Sequence, residues 1–351
     1  MSLENLLSRI KPLNQGAMDA ARQRQAILTK PAGSLGRLEE LSIQIAGITG
    51  QPLPQITHKM VTVMAGDHGV VAEGVSAYPA EVTPQMVFNF LAGGAAVNVL
   101  ARQAGARVVI VDMGVAVPLE PHPSLIDKKV APGTNNIAQG PAMSREQAIQ
   151  AILAGASVVE AEAAQGLDLL ATGDMGIGNT TPSAAIAAVL TGESPVVIVG
   201  RGTGVDDAGL QRKVTAVQKA ITVNQPDAAD GLDVLMKVGG YEIAGLAGAI
   251  LAAAANGCPI VVDGFISTAA AMIAAQICPT VRQYLIAGHC SEELGHRLML
   301  NWLGLKPLLD LNLRLGEGTG AVLAMSLVEA ACRTLVEMAT FADAGVSEKM
   351  D

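Results

Sequence analysis

One pattern recurs along this chain: a short apolar run ends in a loop rich in glycine and aspartate, and a helical stretch follows. The runs are continuous rather than alternating, as expected for strands that are covered on both faces. They occupy residues 60–65, 108–111, 169–172, 196–199, 260–262 and 284–287. Repetition of strand, loop and helix predicts an α/β fold with a Rossmann-like parallel sheet and helices on both faces.

Helical periodicity fills most of the intervals between these runs. It covers residues 84–103, 144–162, 182–190, 207–223, 241–255, 268–277 and 291–303. In open parallel sheets, ligands bind outside the carboxyl ends of the strands. The glycines and acids of this chain collect at those ends, so the pattern predicts a small-molecule site there.

The two ends of the chain lack strand signals. Residues 1–50 carry only helical periodicity, with a turn at 30–37, and the pattern after Gly320 is helical to about residue 341. We expect residues 1–50 to form the helical part of a small domain and residues 51–319 a large α/β domain with the parallel sheet. Residues 320–351 would supply a C-terminal helix that joins the small domain.

Composition narrows the class of ligand. The 351 residues are 50% hydrophobic, which is enough to bury a large core, and the formal net charge is −9. A chain without a basic face does not suit nucleic acid or an anionic membrane surface. An anionic ligand must therefore be held by local donors.

The cysteines and the chain start predict a cytoplasmic protein. Cys258, Cys278, Cys290 and Cys332 form no C-x-x-C pair, and no basic segment followed by an apolar one opens the sequence. Apolar stretches such as 243–255 are too short for a bilayer. No membrane span is expected.

Glu317 is a lone carboxylate between Gly316 and Gly318, just before a long apolar helix. Glycine has no side chain to keep a ligand away from the backbone, so this acid is displayed toward a close neighbour. A turn, or an acid that complements a helix dipole, is the alternative interpretation.

Phosphate is one ligand that the glycine loops suit. No P-loop occurs, and Gly200-x-Gly-x-Gly204 lacks the dinucleotide spacing. Residues 176–182 place two glycines before a predicted threonine N-cap with Pro182 at the first helical position, which leaves N–H groups free at a positive helix end. Lys213, with Arg201 and Arg314, can add local positive charge.

Two other classes of function stay open at this point. A metal-dependent hydrolase would draw on acids and histidines at strand ends, although none has a helical i, i+4 spacing and such aspartates are often caps. These side chains are Asp67, His68, Asp112, Asp174, Asp263 and His289. A non-catalytic nucleotide-binding module would keep the glycine loops but would have no use for Glu317.

A set of motifs, in family order and spread over nearly the whole chain, resembles the nicotinate-nucleotide:dimethylbenzimidazole phosphoribosyltransferase family. The motifs are Lys30-Pro-Ala-Gly-Ser-Leu-Gly-Arg37-Leu-Glu39, Asp67-His-Gly-Val70, Gly173-Asp-Met-Gly-Ile-Gly-Asn-Thr-Thr-Pro182, Gly200-Arg-Gly-Thr-Gly204, Lys237-Val-Gly-Gly240, Asp263-Gly-Phe265 and Arg314-Leu-Gly-Glu-Gly-Thr-Gly320. The resemblance implies a homodimeric enzyme of cobalamin lower-ligand synthesis, with a Rossmann-like sheet and a small helical domain. It would move the 5-phosphoribosyl group of nicotinate mononucleotide to 5,6-dimethylbenzimidazole, with no metal or cofactor.

The resemblance also assigns residues. Glu317 takes the position of the general base, flanked by Gly316 and Gly318. The benzimidazole pocket corresponds to Tyr78, Pro79, Gln85, Met86, Met175 and Leu315. The phosphoribosyl side corresponds to Gly176, Gly202, Gly204, Lys213 and Ser291. Asp174, where some members have glutamate, is expected to contact the incoming base. Because aromatic residues make up only 2% of the chain, aliphatic and methionine side chains should sandwich that base.

Overall fold

The computed structural model describes residues 1–202 and 204–347. Its sheet has six parallel strands in the order β3-β2-β1-β4-β5-β6. The strands are β1 (Lys59–Gly66), β2 (Ala106–Gly114), β3 (Leu125–Asp127), β4 (Leu169–Met175), β5 (Ile260–Val262) and β6 (Leu285–Ala287). This is the doubly wound order, in which the chain reverses direction across the sheet between β1 and β4 and opens a crevice there. The predicted fold class is confirmed.

Fifteen α-helices lie within the described residues. They are α1 (Leu3–Ser8), α2 (Gln15–Ile27), α3 (Arg37–Thr49), α4 (Val82–Leu91), α5 (Ala96–Ala104), α6 (Arg145–Ala163), α7 (Thr180–Thr191), α8 (Pro195–Ile198), α9 (Asp207–Asn224), α10 (Gly231–Val238), α11 (Tyr241–Ala255), α12 (Phe265–Ile277), α13 (His296–Leu303), α14 (Thr319–Glu337) and α15 (Phe341–Ala344). Short 3₁₀ turns at Gly69–Glu73 and Pro279–Tyr284 complete the set.

Hydrophobic core covers both faces of the sheet, and this explains why the strands are continuous apolar runs in the sequence. Ile260 and Val262 of β5 pack in the hydrophobic core on one side of the sheet, and Val261 packs in the core on the other side. Successive strand residues point to opposite faces, so a sheet covered twice needs apolar residues at every position.

The predicted strand at 196–199 is wrong. The segment is the short helix α8, where Ser194 accepts a hydrogen bond from the Val196 amide and Pro195 occupies the first turn. A serine cap followed by proline favours a helix start, and Val196 and Val197 remain exposed. The sixth strand is instead β3, whose three residues are too short for a periodic signal.

Two helix predictions also differ from the structure, and one helix was missed. The stretch 84–103 is broken at Gly93, whose φ of 76° ends α4, and α5 restarts at Ala96. The stretch 291–303 becomes helical only at His296, because residues 291–295 form the loop after β6. Helix α10 was not predicted.

Close backbone contact between α6 and α11 explains part of the high glycine content. A Cβ on Gly155 would collide with the backbone of Gly245, and a Cβ on Gly248 would collide with the carbonyl of Ile152. Only glycine permits two helices to approach this closely. The Ala-rich α11 is therefore a buried central helix.

Helices from both chain ends pack together. Ala21 of α2, Ala46 of α3 and Leu335 of α14 form a small cluster, and Leu28 forms a bridge with Thr340. Helix α14 also packs on α5 and on β4. The division into residues 1–50, 51–319 and 320–351 stays a prediction.

Two stretches are apolar and long enough to pass a membrane-span test, Val82–Ala104 and Thr319–Glu337. The first is interrupted at Gly93 into helices of 10 and 9 residues, each far shorter than the roughly 20 residues that a bilayer requires. The second is α14, and more than half of its most apolar window is buried in the fold. Both stretches read as elements of the folded core.

Candidate active site

A cavity of about 400 Å³ lies at the carboxyl ends of β4, β5 and β6. Ten residues predicted for the site line it: Tyr78, Met86, Asp174, Met175, Gly176, Gly202, Ser291, Leu315, Gly316 and Glu317. Ten further residues complete the lining: Val82, Ile177, Asn179, Thr180, Gly264, Phe265, Ile266, His289, Glu293 and Arg314. Residues from loops far apart in sequence meet here because parallel strands end at one edge.

Glu317 lies in a strained backbone conformation at the cavity wall. Its φ is 63°, in the left-handed region that non-glycine residues rarely adopt, and Gly316 and Gly318 on either side also have positive φ. The residue is 6% exposed, and its Oε2 atom has no hydrogen-bond partner among the residues that the structure describes. Strain of this kind persists where the surroundings hold it, often at functional sites.

Burial raises the pKa of Glu317 above its ordinary value. The Val97 amide opposes this shift, and the negative charge of Asp263 adds to it. A carboxylate with a raised pKa is a stronger proton acceptor, and it still ionises at neutral pH when the shift is moderate. Glu317 thus has the free oxygen and the basicity that a general base needs.

Asp174, at the end of β4, is buried beside Glu317. The Asn179 Nδ2 atom donates to Asp174 Oδ2 at 2.9 Å, while Oδ1 has no hydrogen-bond partner within residues 1–202 and 204–347. Burial, and then the charge of Asp263, hold the pKa of Asp174 well above its usual range. A neutral Asp174 can donate a hydrogen bond into the cavity.

Asn179 also corrects the predicted start of α7. It is the N-cap residue, the helix begins at Thr180, and Pro182 is the third helical residue rather than the first. The Asn179 side chain bonds to Asp174 instead of capping its own helix. The first amides of α7 therefore receive no side-chain cap from their N-cap residue, and the Thr181 amide donates instead to the Gly178 carbonyl at 3.0 Å.

Lys213 of α9 lies behind the glycine loops, 1% exposed. Its Nζ donates to Thr180 Oγ1 at 2.9 Å, and a Cβ on Gly202 would come within 2.8 Å of that nitrogen. Burial lowers the pKa of Lys213 to about 8, although the charge of Glu293 opposes the shift. Lys213, Thr180 and Gly202 thus form one corner of the site.

The opposite side of the cavity is apolar. Met86 and Met175 are half-buried in its wall, and Tyr78 and Leu315 lie at its rim, 53% and 57% exposed. Flexible methionines beside an aliphatic side chain suit a flat aromatic ligand. This side could therefore accommodate an apolar ring.

Five predicted residues lie outside the cavity lining. Pro79 and Gln85 are exposed beside Tyr78 and Met86, and Gly204 is exposed beyond the loop. Lys213 lies behind Thr180, and Gly318 is the N-cap residue of α14. The neighbouring Thr203 falls outside the described residues.

Sequence reasoning missed Glu293. This carboxylate is 8% exposed and lines the cavity, and its Oε2 atom has no hydrogen-bond partner in the described part of the chain. It lies in the loop after β6, inside the stretch predicted as helix from 291. The sequence signal that could have identified Glu293 is a strand end followed by Ser291 and two glutamates.

Several of the side chains proposed as metal ligands have other partners. His68 pairs with Glu242 at 2.7 Å, and Asp112 accepts from the amides of Gly114 and Val115. His289 lies in the cavity wall, 3.5 Å from Asp263. No group of three or more His, Cys, Asp or Glu side chains among the described residues is arranged to hold a metal ion.

A larger cavity of about 500 Å³ lies beside β3 and away from the glycine loops. Its buried acid, Asp112, is engaged by Lys129 and by backbone amides. The smaller cavity holds the acids with unpartnered oxygens, so it is the better candidate for chemistry.

Comparisons with known proteins agree over almost the whole chain. The profile of a protein family described as phosphoribosyltransferase matches residues 10–346. The nicotinate-nucleotide–dimethylbenzimidazole phosphoribosyltransferase of Chloroflexus aurantiacus is 59% identical over 348 residues, 99% of each chain. The enzyme of that name from Desulforudis audaxviator is 59% identical over 346 residues, 99% of this chain and 98% of its own.

Solved structures give the same result. The crystal structure of the Thermus thermophilus enzyme of that name superimposes with a TM-score of 0.91 at 49% identity, covering 96% of this chain and all of its own. A second structure from that organism, described as CobT, gives a TM-score of 0.92 at 51% identity, covering 95% of this chain and all of its own. The chain belongs to the nicotinate-nucleotide:dimethylbenzimidazole phosphoribosyltransferase family.

Proposed function

We propose that this protein transfers the 5-phosphoribosyl group of nicotinate mononucleotide to 5,6-dimethylbenzimidazole, with Glu317 as the general base. The observation that carries the proposal is the Glu317 carboxylate, buried in the cavity wall with one oxygen unpartnered. The same cavity is lined by Gly202 and Thr180, which contact Lys213, and by the apolar side chains of Met86, Met175 and Leu315. Family membership supplies the reaction.

The chemistry needs one proton acceptor. In nicotinate mononucleotide the leaving nitrogen is a cationic pyridinium, so the bond from C1′ to nitrogen breaks with its electron pair on nicotinate and without a general acid. As the benzimidazole nitrogen bonds to C1′, the second ring nitrogen must lose its proton. A positioned carboxylate that accepts this proton contributes on the order of 10²–10⁴-fold.

The β-nucleotide donor becomes an α-nucleotide product, so the acceptor attacks C1′ from the face opposite nicotinate. A single displacement with an oxocarbenium-like centre fits, by analogy with inverting glycosyl transfer. The acids Glu293 and Glu317, which line the cavity, favour the cationic pyridinium and the developing positive charge. No covalent nucleophile enters this scheme.

The phosphate would bind at the glycine loops. Lys213 and the Ser291 hydroxyl, from the loop after β6, would supply donors, and Gly176, Gly202 and Gly204 would let the phosphate approach the backbone. In a chain of net charge −9, a dianion needs such local donors. Lys213 is buried beside Thr180, and Arg314, which lines the cavity, donates to the Gly202 carbonyl at 3.5 Å.

The dimethylbenzimidazole would lie between Met86, Met175 and Leu315, with Tyr78 at the rim and Pro79 and Gln85 just beyond. Asp174 Oδ1, which is unpartnered and close to Gly316, is available to the acceptor's ring nitrogen. The shorter arm of aspartate leaves more room than glutamate would at this position.

We infer that the enzyme is a cytoplasmic homodimer. Large apolar side chains, including Tyr78, Leu294 and Leu315, are exposed close to the cavity, which supports burial against a second copy. All four cysteines are free, in keeping with a reducing compartment.

The test uses the purified protein with nicotinate mononucleotide and dimethylbenzimidazole, followed by chromatography. Nicotinate and α-ribazole 5′-phosphate should appear in equal amounts, unchanged by a chelator. A metal-dependent hydrolase would release nicotinate without acceptor and would stop on chelation. A binding module would release none, and either result contradicts the proposal.

A further inference from the structure

Asp263 is a fully buried carboxylate that contacts the backbone on the C-terminal side of Glu317. Its Oδ2 accepts a hydrogen bond from the Gly318 amide at 3.1 Å, and its Oδ1 accepts one from the Ala321 amide at 2.9 Å. The amide of Asp263 itself donates to Thr172 Oγ1 at 3.2 Å. The Glu317 loop is thereby tied to the ends of β4 and β5.

The loop's own residues supply part of its support, because the amide and the hydroxyl of Thr319 donate to the Gly316 carbonyl. Gly318, the N-cap residue of α14, has no side chain, so the first amides of α14 lack the usual local cap. Asp263 supplies that cap from another element. Glu317, with its φ of 63°, keeps a left-handed backbone only while its surroundings over-determine it.

We propose that Asp263 is the positioning residue for Glu317, holding the loop so that the Glu317 carboxylate meets the acceptor. This inference rests on the proposed role of Glu317 as base. Asp263 is absent from the cavity lining, so it acts through Glu317 and not on the substrate.

The charges around Glu317 come from several elements. Asp174 lies on β4, Asp263 follows β5, and His289 follows β6 at 3.5 Å from Asp263. The Val97 amide approaches from α5. Burial, opposed by that amide, raises the pKa of Glu317, and Asp263 raises it further. Removing the Asp263 charge should therefore let Glu317 lose its proton at lower pH.

A double-mutant cycle tests the inference. Asp263→Asn keeps the size of the side chain but leaves one acceptor oxygen for two amides, and it removes the charge. We expect kcat to fall by about 10–100-fold, the scale of a small misplacement of a catalytic group. The acid limb of the kcat profile should move to lower pH. With Glu317→Gln already present, Asp263→Asn should change kcat by less than about threefold, because effects routed through one group do not add.

Asp230→Asn is the matched control. Asp230 also caps a helix, accepting from the amides of Leu232 and Asp233 at the start of α10, and it does not line the cavity. It should leave kcat and its pH profile as in the parent. The inference is overturned if Asp263→Asn behaves like this control. It is also overturned if Asp263→Asn lowers kcat as strongly in the Glu317→Gln variant as it does in the parent.

The two proposals fail in different ways. If Glu317→Gln alone retains kcat, the proposed base is wrong. If Glu317→Gln loses kcat while Asp263→Asn keeps the parental profile, only the role of Asp263 is wrong.

If Asp263→Asn does not fold, Thr172→Val replaces it in the test. This substitution keeps the shape of the side chain and removes only the acceptor of the Asp263 amide. A fall in kcat that vanishes beside Glu317→Gln supports the inference, and an unchanged kcat overturns it.

Discussion

The carbonyl of Glu317 packs directly over Gly173, so that a Cβ on Gly173 would collide with the Glu317 carbonyl oxygen. Gly173 belongs to β4 and Glu317 to the loop before α14, which are separated by more than a hundred residues in sequence. Because Gly173 on this central strand has no side chain, the Glu317 backbone can lie against it.

Gly173→Ala should therefore damage activity through Glu317. Either β4 or the loop must shift, and a displacement near 1 Å costs on the order of 10²-fold in kcat. Overpacking should also lower the free energy of unfolding by about 1–3 kcal/mol. Gly140→Ala is the control, because a Cβ there meets nothing within 4 Å. Parental kcat in Gly173→Ala would show that Glu317 tolerates displacement.

Glu317→Gln should bind both substrates and lose turnover. Glutamine is nearly isosteric but accepts a proton poorly, so kcat should fall by roughly 10²-fold or more, the lower end for a general base. An acid that only complements a helix dipole would instead change stability by about 0.3–1 kcal/mol with turnover intact. Steady-state kinetics and thermal melting separate these outcomes. If the variant stays within a few-fold of the parent across pH, Asp174 is the next carboxylate to test.

We expect nucleotide binding to weaken at high pH because Lys213 loses its charge there. Burial lowers its pKa to about 8, so in the free enzyme it carries its charge below that pH and loses it above. The kcat/KM for nicotinate mononucleotide should fall as pH rises through about 8. Lys213→Arg, which stays charged, should move this limb upward. A flat profile between pH 7 and 9.5 would contradict the role.

Lys213→Ala should raise the KM for the nucleotide and affect the KM for dimethylbenzimidazole less. Loss of one charge-assisted hydrogen bond to phosphate corresponds to about 1.5–3 kcal/mol, roughly 10–150-fold in affinity. Lys219→Ala is the control, because that lysine on the same helix is exposed. Unchanged nucleotide kinetics in Lys213→Ala would remove the residue from the site.

Asp174 should make the protein less stable as pH rises. Its pKa is raised above the unfolded value near 3.9 by burial first, so the folded state binds the extra proton. The favourable contribution is complete below the unfolded pKa and is lost as pH rises toward the folded one. Asp174→Asn cannot ionise, so at pH 8 it should unfold with a free energy equal to or higher than the parent's, by about 1–3 kcal/mol.

Denaturant melts at pH 4 and pH 8 check this sign. The advantage of Asp174→Asn should shrink at pH 4. Asp230→Asn should show the opposite sign at pH 8, because hydrogen bonds from Arg145 and two helix amides lower the pKa of Asp230 despite its partial burial. A destabilised Asp174→Asn at pH 8 would mean that Asp174 is ionised and well solvated.

The homodimer should be visible by light scattering. Exposed apolar side chains such as Phe88 and Leu315 near the cavity favour burial against a second copy. The expected mass is twice the 35.8 kDa of one chain. A monomer under assay conditions would contradict this prediction.

Local sequence determined the fold class and several individual residues. Apolar runs that end in glycine and aspartate indicated a parallel sheet, because strands covered on both faces need apolar residues throughout. The same pattern placed the site at the strand ends, and glycines on both sides of Glu317 marked that acid. At α8 the apolar run 196–199 predicted a strand, but the Ser194 cap and Pro195 favour a helix start, and the segment is helical.

Only the tertiary structure decided which of these residues meet. The sheet order brings Asp263, which follows β5, to the amides of Gly318 and Ala321, and it brings Lys213 to Thr180. Burial then sets the basicity of Glu317 and the acidity of Lys213, since desolvation depends on every neighbour and not on the nearest residues in sequence. Local patterns encode helix and strand periodicity, whereas contacts between distant residues and their electrostatic environment exist only once the chain has folded.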